Sequence, residues 1–192
     1  MEDYLKDKHV VRVDRKLIHR GSILDIYEDQ MLLPDGGHET WDFVSHRMGA
    51  AAVLAVKEDG KLIMVRQYRP ALDRWTLEIP AGSRDSLEED TKVTAQRELE
   101  EETGYRCEGL EKLLSLKTTV AFCNEFIDVY LAEGLKVKKE QKLDESEVIR
   151  LEEWDLDDLI DQIGQGKIQD SKTVSAILAY RVLLYQRNRT NV

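Results

Sequence analysis

The stretch of this sequence best suited to chemistry is AQRELEEETGY, residues 95–105. It carries four glutamates, and a fifth, Glu89, lies six residues upstream of Ala95. Acidic side chains spaced i,i+4 repel one another and weaken a helix unless something positive compensates for them. Clustered carboxylates without an equal number of bases suit a hard divalent cation such as Mg²⁺ or Mn²⁺. The stretch therefore indicates either a solvated acidic face or a metal site.

The spacing of these acids places three of them together if the segment is helical. Glu98 and Glu102 are four residues apart, and Glu101 is three from Glu98, so all three project from one helical face. Arg97 can pair with an acidic neighbour and hold the array in place. Gly104 follows the acids and predicts the end of the helix, because glycine readily adopts the left-handed conformation found there.

Composition limits the partners of the chain. The 192 residues carry a net charge of −10, which argues against a non-specific nucleic-acid binder, whose affinity comes from Lys and Arg on phosphates. An anionic small substrate stays possible if metal ions lie between the two. The two cysteines, Cys107 and Cys123, form no CxxC or Cys/His motif and are expected to be reduced thiols. No apolar run approaches the ~20 residues of a membrane span, and the polar N-terminus lacks a signal peptide, so we expect a cytoplasmic protein without a membrane partner.

The first 48 residues predict a small antiparallel β unit that is short for an independent domain. Its strands are expected at residues 10–16, 22–33 and 38–46. Gly21 joins the first two, and the PDGG turn at 34–37 joins the last two, since glycine supplies positive φ.

The remaining residues alternate strand and helix patterns, which indicates a layered α/β domain. Strands are expected at 50–56, on both sides of the Asp59-Gly60 turn, at 74–82, 126–133 and 148–154, and a helix over about 90–103 on which Ala95 and Leu99 pack against the sheet. Two more helices follow. Their predicted buried stripes are Leu156, Leu159, Ile160 and Ile163 in the first, and Val174, Ile177, Leu178, Val182 and Tyr185 in the second.

The acidic segment resembles the Nudix box, in which a glycine, a spacer, a glutamate, seven residues and an Arg-Glu pair are followed by a Glu-Glu pair and a glycine. The matching residues in this chain are Gly82, Glu89, Arg97, Glu98, Leu99, Glu101, Glu102, Gly104 and Tyr105. One departure is that six residues separate Gly82 from Glu89, where the family usually has five. Taking Glu88 instead restores five but leaves eight before Arg97. We favour an extra residue in the loop, because a loop absorbs an insertion and a helical register does not.

The resemblance implies an α/β fold, a Nudix-type α/β/α sandwich with a mixed sheet. Residues 1–48 would add a small N-terminal antiparallel β unit used for dimerisation, and residues 49–192 would be the hydrolase domain. It also implies two or three Mg²⁺ or Mn²⁺ ions per site. Glu98 and Glu102 would bind them directly, Glu101 would assist, and the carbonyl of Ala81 would be a further ligand.

Two further segments, residues 62–82 and 166–177, resemble ADP-ribose pyrophosphatases. This likeness implies hydrolysis of the diphosphate of ADP-ribose or a related nucleoside diphosphate sugar to a nucleoside monophosphate and a sugar phosphate. It also implies a homodimer in which each site uses residues of both subunits. Alternatives are a hydrolase of GDP-mannose, FAD or dinucleoside polyphosphates, and a non-catalytic module that senses ADP-ribose. The complete set of glutamates disfavours the last.

The resemblance also assigns substrate contacts. Arg69 matches an arginine that contacts the substrate, and its planar, permanently charged fork suits a phosphate oxygen. Arg66, Glu78 and Glu125 are weaker candidates of the same kind. Trp41 departs from the pattern, since many relatives carry an arginine near this position. It could stack on a nucleobase or lie in the dimer core.

In this subfamily the general base often comes from a late Glu-x-Glu loop rather than from the box helix. In this chain Glu145 corresponds to the base and Glu147 to an accessory metal ligand. Arg97 and Glu101 complete the predicted catalytic group. The alternative is a solvated loop of acids.

Overall fold

The computed structural model describes residues 9–137, 141 and 148–190. These residues form twelve strands and three α-helices. The strands are β1 Val11–Arg20, β2 Leu24–Leu32, β3 His38–His46, β4 Ala50–Val56, β5 Leu62–Arg69, β6 Arg74–Glu78, β7 Ala81–Ser83, β8 Tyr105–Arg106, β9 Leu110–Lys117, β10 Phe126–Ala132, β11 Lys136–Val137 and β12 Ile149–Trp154. The helices are α1 Thr91–Thr103, α2 Leu156–Gly164 and α3 Ser171–Thr190.

The chain divides into two compact units. One comprises the residues up to 48 together with 117–125, and the other comprises 49–116 and the residues from 126 onward. In the first unit, β1, β2 and β3 form an antiparallel sheet in that order. Arg15 on β1 contacts both other strands of this sheet. Its guanidinium carbon lies 3.9 Å from the ring centroid of Phe43, and its nitrogens donate to Asp29 at 2.6 and 2.5 Å.

In the second unit, seven of the described strands form one mixed sheet. The central order is β12-β5-β4-β10-β9, with β6 beside β5 and β7 beside β4. The β4–β10 pair is parallel, whereas β4–β5, β5–β12 and β4–β7 are antiparallel. The uniformly apolar β4 lies in the middle, as expected for a strand that is covered on both faces.

Helices cover both faces of this sheet. On one face Ala95 and Leu99 of α1 pack against alternate residues of β4, including Val53. On the other face Leu159 of α2 and Ile177 of α3 pack with Leu54. The predicted α/β/α sandwich with a mixed sheet is therefore confirmed.

The helix bounds follow from their end residues. Asp90 caps α1 by accepting a hydrogen bond from the Lys92 N–H at 2.8 Å, and Gly104 ends it at φ 71°. Both ends agree with the sequence prediction. Within the part of the chain that the structure describes, none of the helices combines the length and apolar character needed to cross a bilayer.

Some strand predictions were wrong in extent. β1 continues to Arg20, β2 begins only at Leu24, and the strands β8, β9 and β11 were not predicted. The single strand expected over 74–82 is two strands on different partners, since β6 pairs with β5 and β7 with β4. Pro80 lies at the break, where its missing N–H prevents continued pairing.

The predicted buried stripe of α3 was also partly wrong. Ile177 is fully buried and Val174 packs against the core, but Leu178, Val182 and Tyr185 are exposed. The buried side instead runs through Thr173, Ala176, Ile177 and Tyr180. Both sides of α3 carry apolar residues, so periodicity alone did not show which of them faces the sheet.

The corrected orientation of α3 predicts unequal costs for two neighbouring truncations. Ile177→Ala should lower the free energy of unfolding by about 2–5 kcal/mol, because Ile177 is 0% exposed and its removal leaves a cavity. Leu178→Ala, at a residue that is 42% exposed, should cost less than about 1 kcal/mol. Urea unfolding of both variants measures the difference. Equal costs would show that α3 does not turn Ile177 to the sheet and Leu178 to solvent.

Candidate active site

The face of α1 that points to the sheet carries two buried glutamates. Glu98 is 8% exposed and Glu102 is 2% exposed, whereas Glu101 is half-exposed on the same side of the helix. A carboxylate is costly to bury unless it is paired or hydrogen-bonded. The placement of Glu98 and Glu102 therefore needs partners on the strands beneath.

The short strand β7 supplies part of that support. The Ala81 N–H donates to Oε2 of Glu102 at 3.0 Å. A Cβ at Gly82 would lie 2.1 Å from Oε1 of Glu98, a distance that real side chains do not reach. The Glu98 carboxylate thus occupies the space next to Gly82, and a side chain at position 82 would displace it.

Arg97 links the acids of the helix to the loop that precedes it. Its Nη1 donates to Glu98 at 2.6 Å and to Glu101 at 3.2 Å, and its Nη2 donates to the Ser83 carbonyl at 2.9 Å. Burial opposes the charge of Arg97, but the neighbouring Glu98 and Asp85 outweigh it and raise the arginine pKa. Arg97 is therefore placed to orient two of the predicted metal-binding carboxylates.

The loop between Gly82 and α1 holds Glu89 rather than Glu88 towards the site. Oε1 of Glu89 lies 3.8 Å from Nε of Arg97, and its Oε2 accepts the Asp85 N–H at 2.6 Å, while Glu88 is exposed. Burial would raise the Glu89 pKa, but the Asp85 hydrogen bond and the charge of Arg97 lower it. This arrangement agrees with the extra residue lying in the loop.

The carboxylates of α1 do not converge into a ready cation cage. Among residues 9–137, 141 and 148–190, no three His, Cys, Asp or Glu side chains surround a point suited to a metal ion. Arg97 takes one oxygen of Glu98 and the Ala81 N–H takes one of Glu102, so the two carboxylates are held by different partners. Glu145 and Glu147, predicted as base and accessory ligand, lie outside the described residues.

The donor set nonetheless fits a hard divalent cation. Two buried carboxylates lie on one helical face against the backbone of Ala81 and Gly82, and all their donor atoms are oxygens, which Mg²⁺ and Mn²⁺ prefer. The Glu98 carboxylate lies directly beside the Gly82 backbone, with no side chain of residue 82 between them.

A second charged cluster lies at the ends of β5 and β6. Arg69 donates to both oxygens of Glu78, at 2.8 and 2.6 Å, and Thr76 donates to the same carboxylate at 2.6 Å. Lys172, in the first turn of α3, donates to Glu78 at 2.5 Å. Burial would raise the Glu78 pKa, but the Arg69 hydrogen bonds and the Lys172 charge lower it to about 2. Hydrogen bonds to Glu78 raise the Arg69 pKa, and the charge of Glu102 adds to that shift.

A cavity of about 370 Å³ opens beside this cluster. It lies between β6, the turn before it and the segment that leads into α3, and its lining includes Arg69, Trp75, Glu78, Gln169 and Asp170. Its volume falls in the range of small-molecule sites. Two predicted substrate contacts, Arg69 and Glu78, therefore line one cavity.

Lys172, which belongs to this charged cluster, was not among the site residues predicted from the sequence. It lies within the segment 166–177 that carried part of the family resemblance, and that segment was the only available signal.

Arg66 is held in an ion pair. It donates from Nη2 to Glu152 at 3.0 Å and from Nε to the other oxygen of the same carboxylate, across β5 and β12. These hydrogen bonds raise the Arg66 pKa. The structure therefore gives Arg66 a partner that joins two strands.

The remaining predicted contacts lie in the other unit. Trp41, on β3, is exposed and donates from Nε1 to Glu39 at 2.9 Å. Glu125 accepts a hydrogen bond from Thr118 at 2.7 Å and lies 3.7 Å from His46.

The fold has a close counterpart among solved structures. A structure described as an ADP compounds hydrolase superposes with a TM-score of 0.83 over 94% of this chain and 96% of that one. The two sequences are 20% identical, so this likeness shows a shared fold.

Sequence comparisons identify the family. The chain is 43% identical over 161 residues to the methanol dehydrogenase activator of Bacillus methanolicus, which covers 83% of this chain and 86% of that protein. It is 40% identical over 166 residues to the ADP-ribose pyrophosphatase of Bacillus subtilis (strain 168), which covers 86% and 89%. Residues 46–176 match the family model described as the NUDIX domain, and the chain therefore belongs to the NUDIX family.

Proposed function

We propose that this protein hydrolyses the diphosphate bond of ADP-ribose or a related nucleoside diphosphate sugar with the help of divalent metal ions. The products would be a nucleoside monophosphate and a sugar phosphate. The observation that carries the proposal is the pair of buried carboxylates, Glu98 and Glu102, that α1 presses against Ala81 and Gly82. The relative from Bacillus subtilis, an ADP-ribose pyrophosphatase, supports the substrate class.

Nudix hydrolases generally use divalent metal ions, and we propose two or three Mg²⁺ or Mn²⁺ ions in this site. Glu98 and Glu102 would hold them, with Glu101 and the Ala81 carbonyl assisting. When bound, such ions would supply positive charge opposite the diphosphate and would make a bound water more acidic. Arg97 would keep Glu98 and Glu101 oriented, because it hydrogen-bonds to both.

Arg69 and the late glutamates would complete the reaction site. Arg69 would bind a phosphate oxygen, and its neighbour Glu78 holds its guanidinium plane. By resemblance, Glu145 is the proposed general base and Glu147 an accessory ligand. β12, which follows them in the chain, begins with Ile149 paired to Gln67, two residues from Arg69. This register brings the start of β12 beside the end of β5 that carries Arg69.

Hydrolysis can be tested on a panel that contains ADP-ribose, other nucleoside diphosphate sugars including GDP-mannose, FAD and a dinucleoside polyphosphate. We expect Mg²⁺-dependent cleavage with ADP-ribose or another diphosphate sugar as the preferred substrate, measured as phosphate released by a phosphatase that acts on the products. Glu102→Gln should keep less than about a tenth of the activity, a barrier increase of more than ~1.4 kcal/mol.

Glu100→Gln is the matched control, because Glu100 bonds to Gln96 and lies near Arg106 rather than β7. It should stay near the wild-type rate. A wild-type protein that cleaves nothing on the panel would contradict the proposed function. A Glu102→Gln enzyme with more than a tenth of the activity would show that Glu102 is not a ligand.

We also propose a two-fold homodimer formed through the β1–β3 sheet, in which Trp41 either stacks on the base or packs between subunits. The described strands of this sheet and the β1–β2 connection expose several large apolar side chains, which usually mark an interface. They are Val11, Val13, Leu17, Ile18, Ile23, Leu24, Ile26 and Trp41.

A cytoplasmic location stays a prediction from the sequence.

Light scattering at micromolar concentration should report a dimer. Ile18→Glu should weaken it, because a charge would be buried in the interface. Val182→Glu places the same charge on an exposed residue of α3 and should leave the dimer intact. A stable wild-type monomer would rule out this assembly.

A further inference from the structure

Lys172 is a buried cation at the start of α3 that pairs with two carboxylates. Its ammonium group is buried and donates to Glu78 at 2.5 Å and to Asp170 at 3.0 Å. It lies in the first turn of α3, where the helix dipole disfavours positive charge. Desolvation offsets most of what a buried ion pair gains, and apolar replacements are often as stable. The ion pairs of Lys172 are therefore weak evidence that its role is to stabilise the fold.

The shared carboxylate connects Lys172 to Arg69. Oε2 of Glu78 accepts from both Lys172 and Nη2 of Arg69, while Oε1 accepts from Nε of Arg69 and from Thr76. Four donor atoms on three residues, Arg69, Thr76 and Lys172, therefore hold this carboxylate. Because the guanidinium is planar and bonds through two nitrogens, the orientation of Glu78 sets the orientation of Arg69.

The end of α3 that carries Lys172 is itself fixed to the strand region of the site. Thr173 Oγ1 accepts the Ile79 N–H at 3.0 Å and donates to Asp170 at 2.6 Å. Asp170 also accepts the Thr173 N–H at 3.0 Å. Ile79 lies between Glu78 and Ala81, so α3 begins at a fixed distance from both the Arg69 cluster and β7.

We propose that Lys172 is a positioning residue that acts through Glu78 to hold the Arg69 guanidinium in one orientation at the cavity. Its use in binding a substrate phosphate rests on the proposed function. In this role Lys172 acts through Glu78 and need not contact the phosphate. It shares the negative charge of Glu78, so that Arg69 is not the only cation the carboxylate holds.

The first measurement follows Arg69 directly and needs no enzymatic activity. In ¹⁵N-labelled protein the Arg69 Nε–H resonance, assigned by its loss in Arg69→Lys, should be sharp and slow to exchange, because it is bonded to Glu78. In Lys172→Met it should shift and exchange faster. A resonance that is unchanged in Lys172→Met would overturn the proposal.

The second measurement is the kinetics of ADP-ribose hydrolysis. Lys172→Met should raise KM roughly 10- to 100-fold, because a misoriented Arg69 would lose its hydrogen bonds to the charged substrate phosphate. The value of kcat should change less than about threefold. In a Glu78→Gln background the same substitution should have no further effect on KM, because the group through which Lys172 acts is already neutral. An equal effect in both backgrounds would overturn the proposal.

Lys112→Met is the matched control, since Lys112 donates to the buried Asp128 at 2.9 Å outside this cluster. Loss of stability in both lysine variants with KM unchanged in both would show that Lys172 is only structural.

If Lys172→Met does not fold, the double variant Glu78→Gln/Lys172→Met removes both charges. Its Arg69 resonance should match that of Glu78→Gln alone, and a difference would overturn the proposal. A wild type that cleaves nothing while the Arg69 resonance responds to Lys172→Met would defeat the proposed function and support the positioning role.

Discussion

The close approach of the Glu98 carboxylate to Gly82 is the constraint on which the rest of the site depends. It is possible only because position 82 has no side chain. It seats α1 directly on β7, where the Ala81 N–H can reach Glu102. Packing of Ala95 and Leu99 on the sheet fixes the same helical phase from the apolar side. Two independent interactions thus determine which glutamates are buried and which, such as Glu101, stay half-exposed.

Burying so many charges has a cost, and the structure offsets it with specific partners. Arg97 donates hydrogen bonds to Glu98 and Glu101, whereas Arg69 and Lys172 both donate to Glu78. Burial would raise the Glu78 pKa, but these two cations lower it to about 2. Desolvation offsets much of the stability that such buried ion pairs would otherwise add. We interpret the two clusters as fixing, respectively, the metal-binding carboxylates and the arginine that would bind phosphate.

The sequence predicted the features that depend on local spacing. The bounds of α1, the phase of Glu98 and Glu102 and the turn at Gly60 all follow from short-range rules of capping and periodicity. It did not predict features that depend on which surface an element meets. Leu178 and Ile177 are neighbours of equal apolarity, and only tertiary packing separates them. Lys172 was missed for the same reason, because Glu78 lies 94 residues away in sequence. The break between β6 and β7 could not be predicted because it depends on tertiary pairing, in which β6 pairs with β5 and β7 pairs with β4.

Binding of divalent cations by the buried carboxylates of α1 can be measured by titrating the protein with Mn²⁺ and following free Mn²⁺ by electron paramagnetic resonance. We expect saturable binding in the wild type that Glu98→Gln weakens by more than about tenfold, since loss of a ligand should cost at least as much as loss of a residue that supports one. Glu100→Gln should bind as the wild type does. Unchanged Mn²⁺ affinity in Glu98→Gln, with the helix still folded, would contradict a metal site on this face of α1.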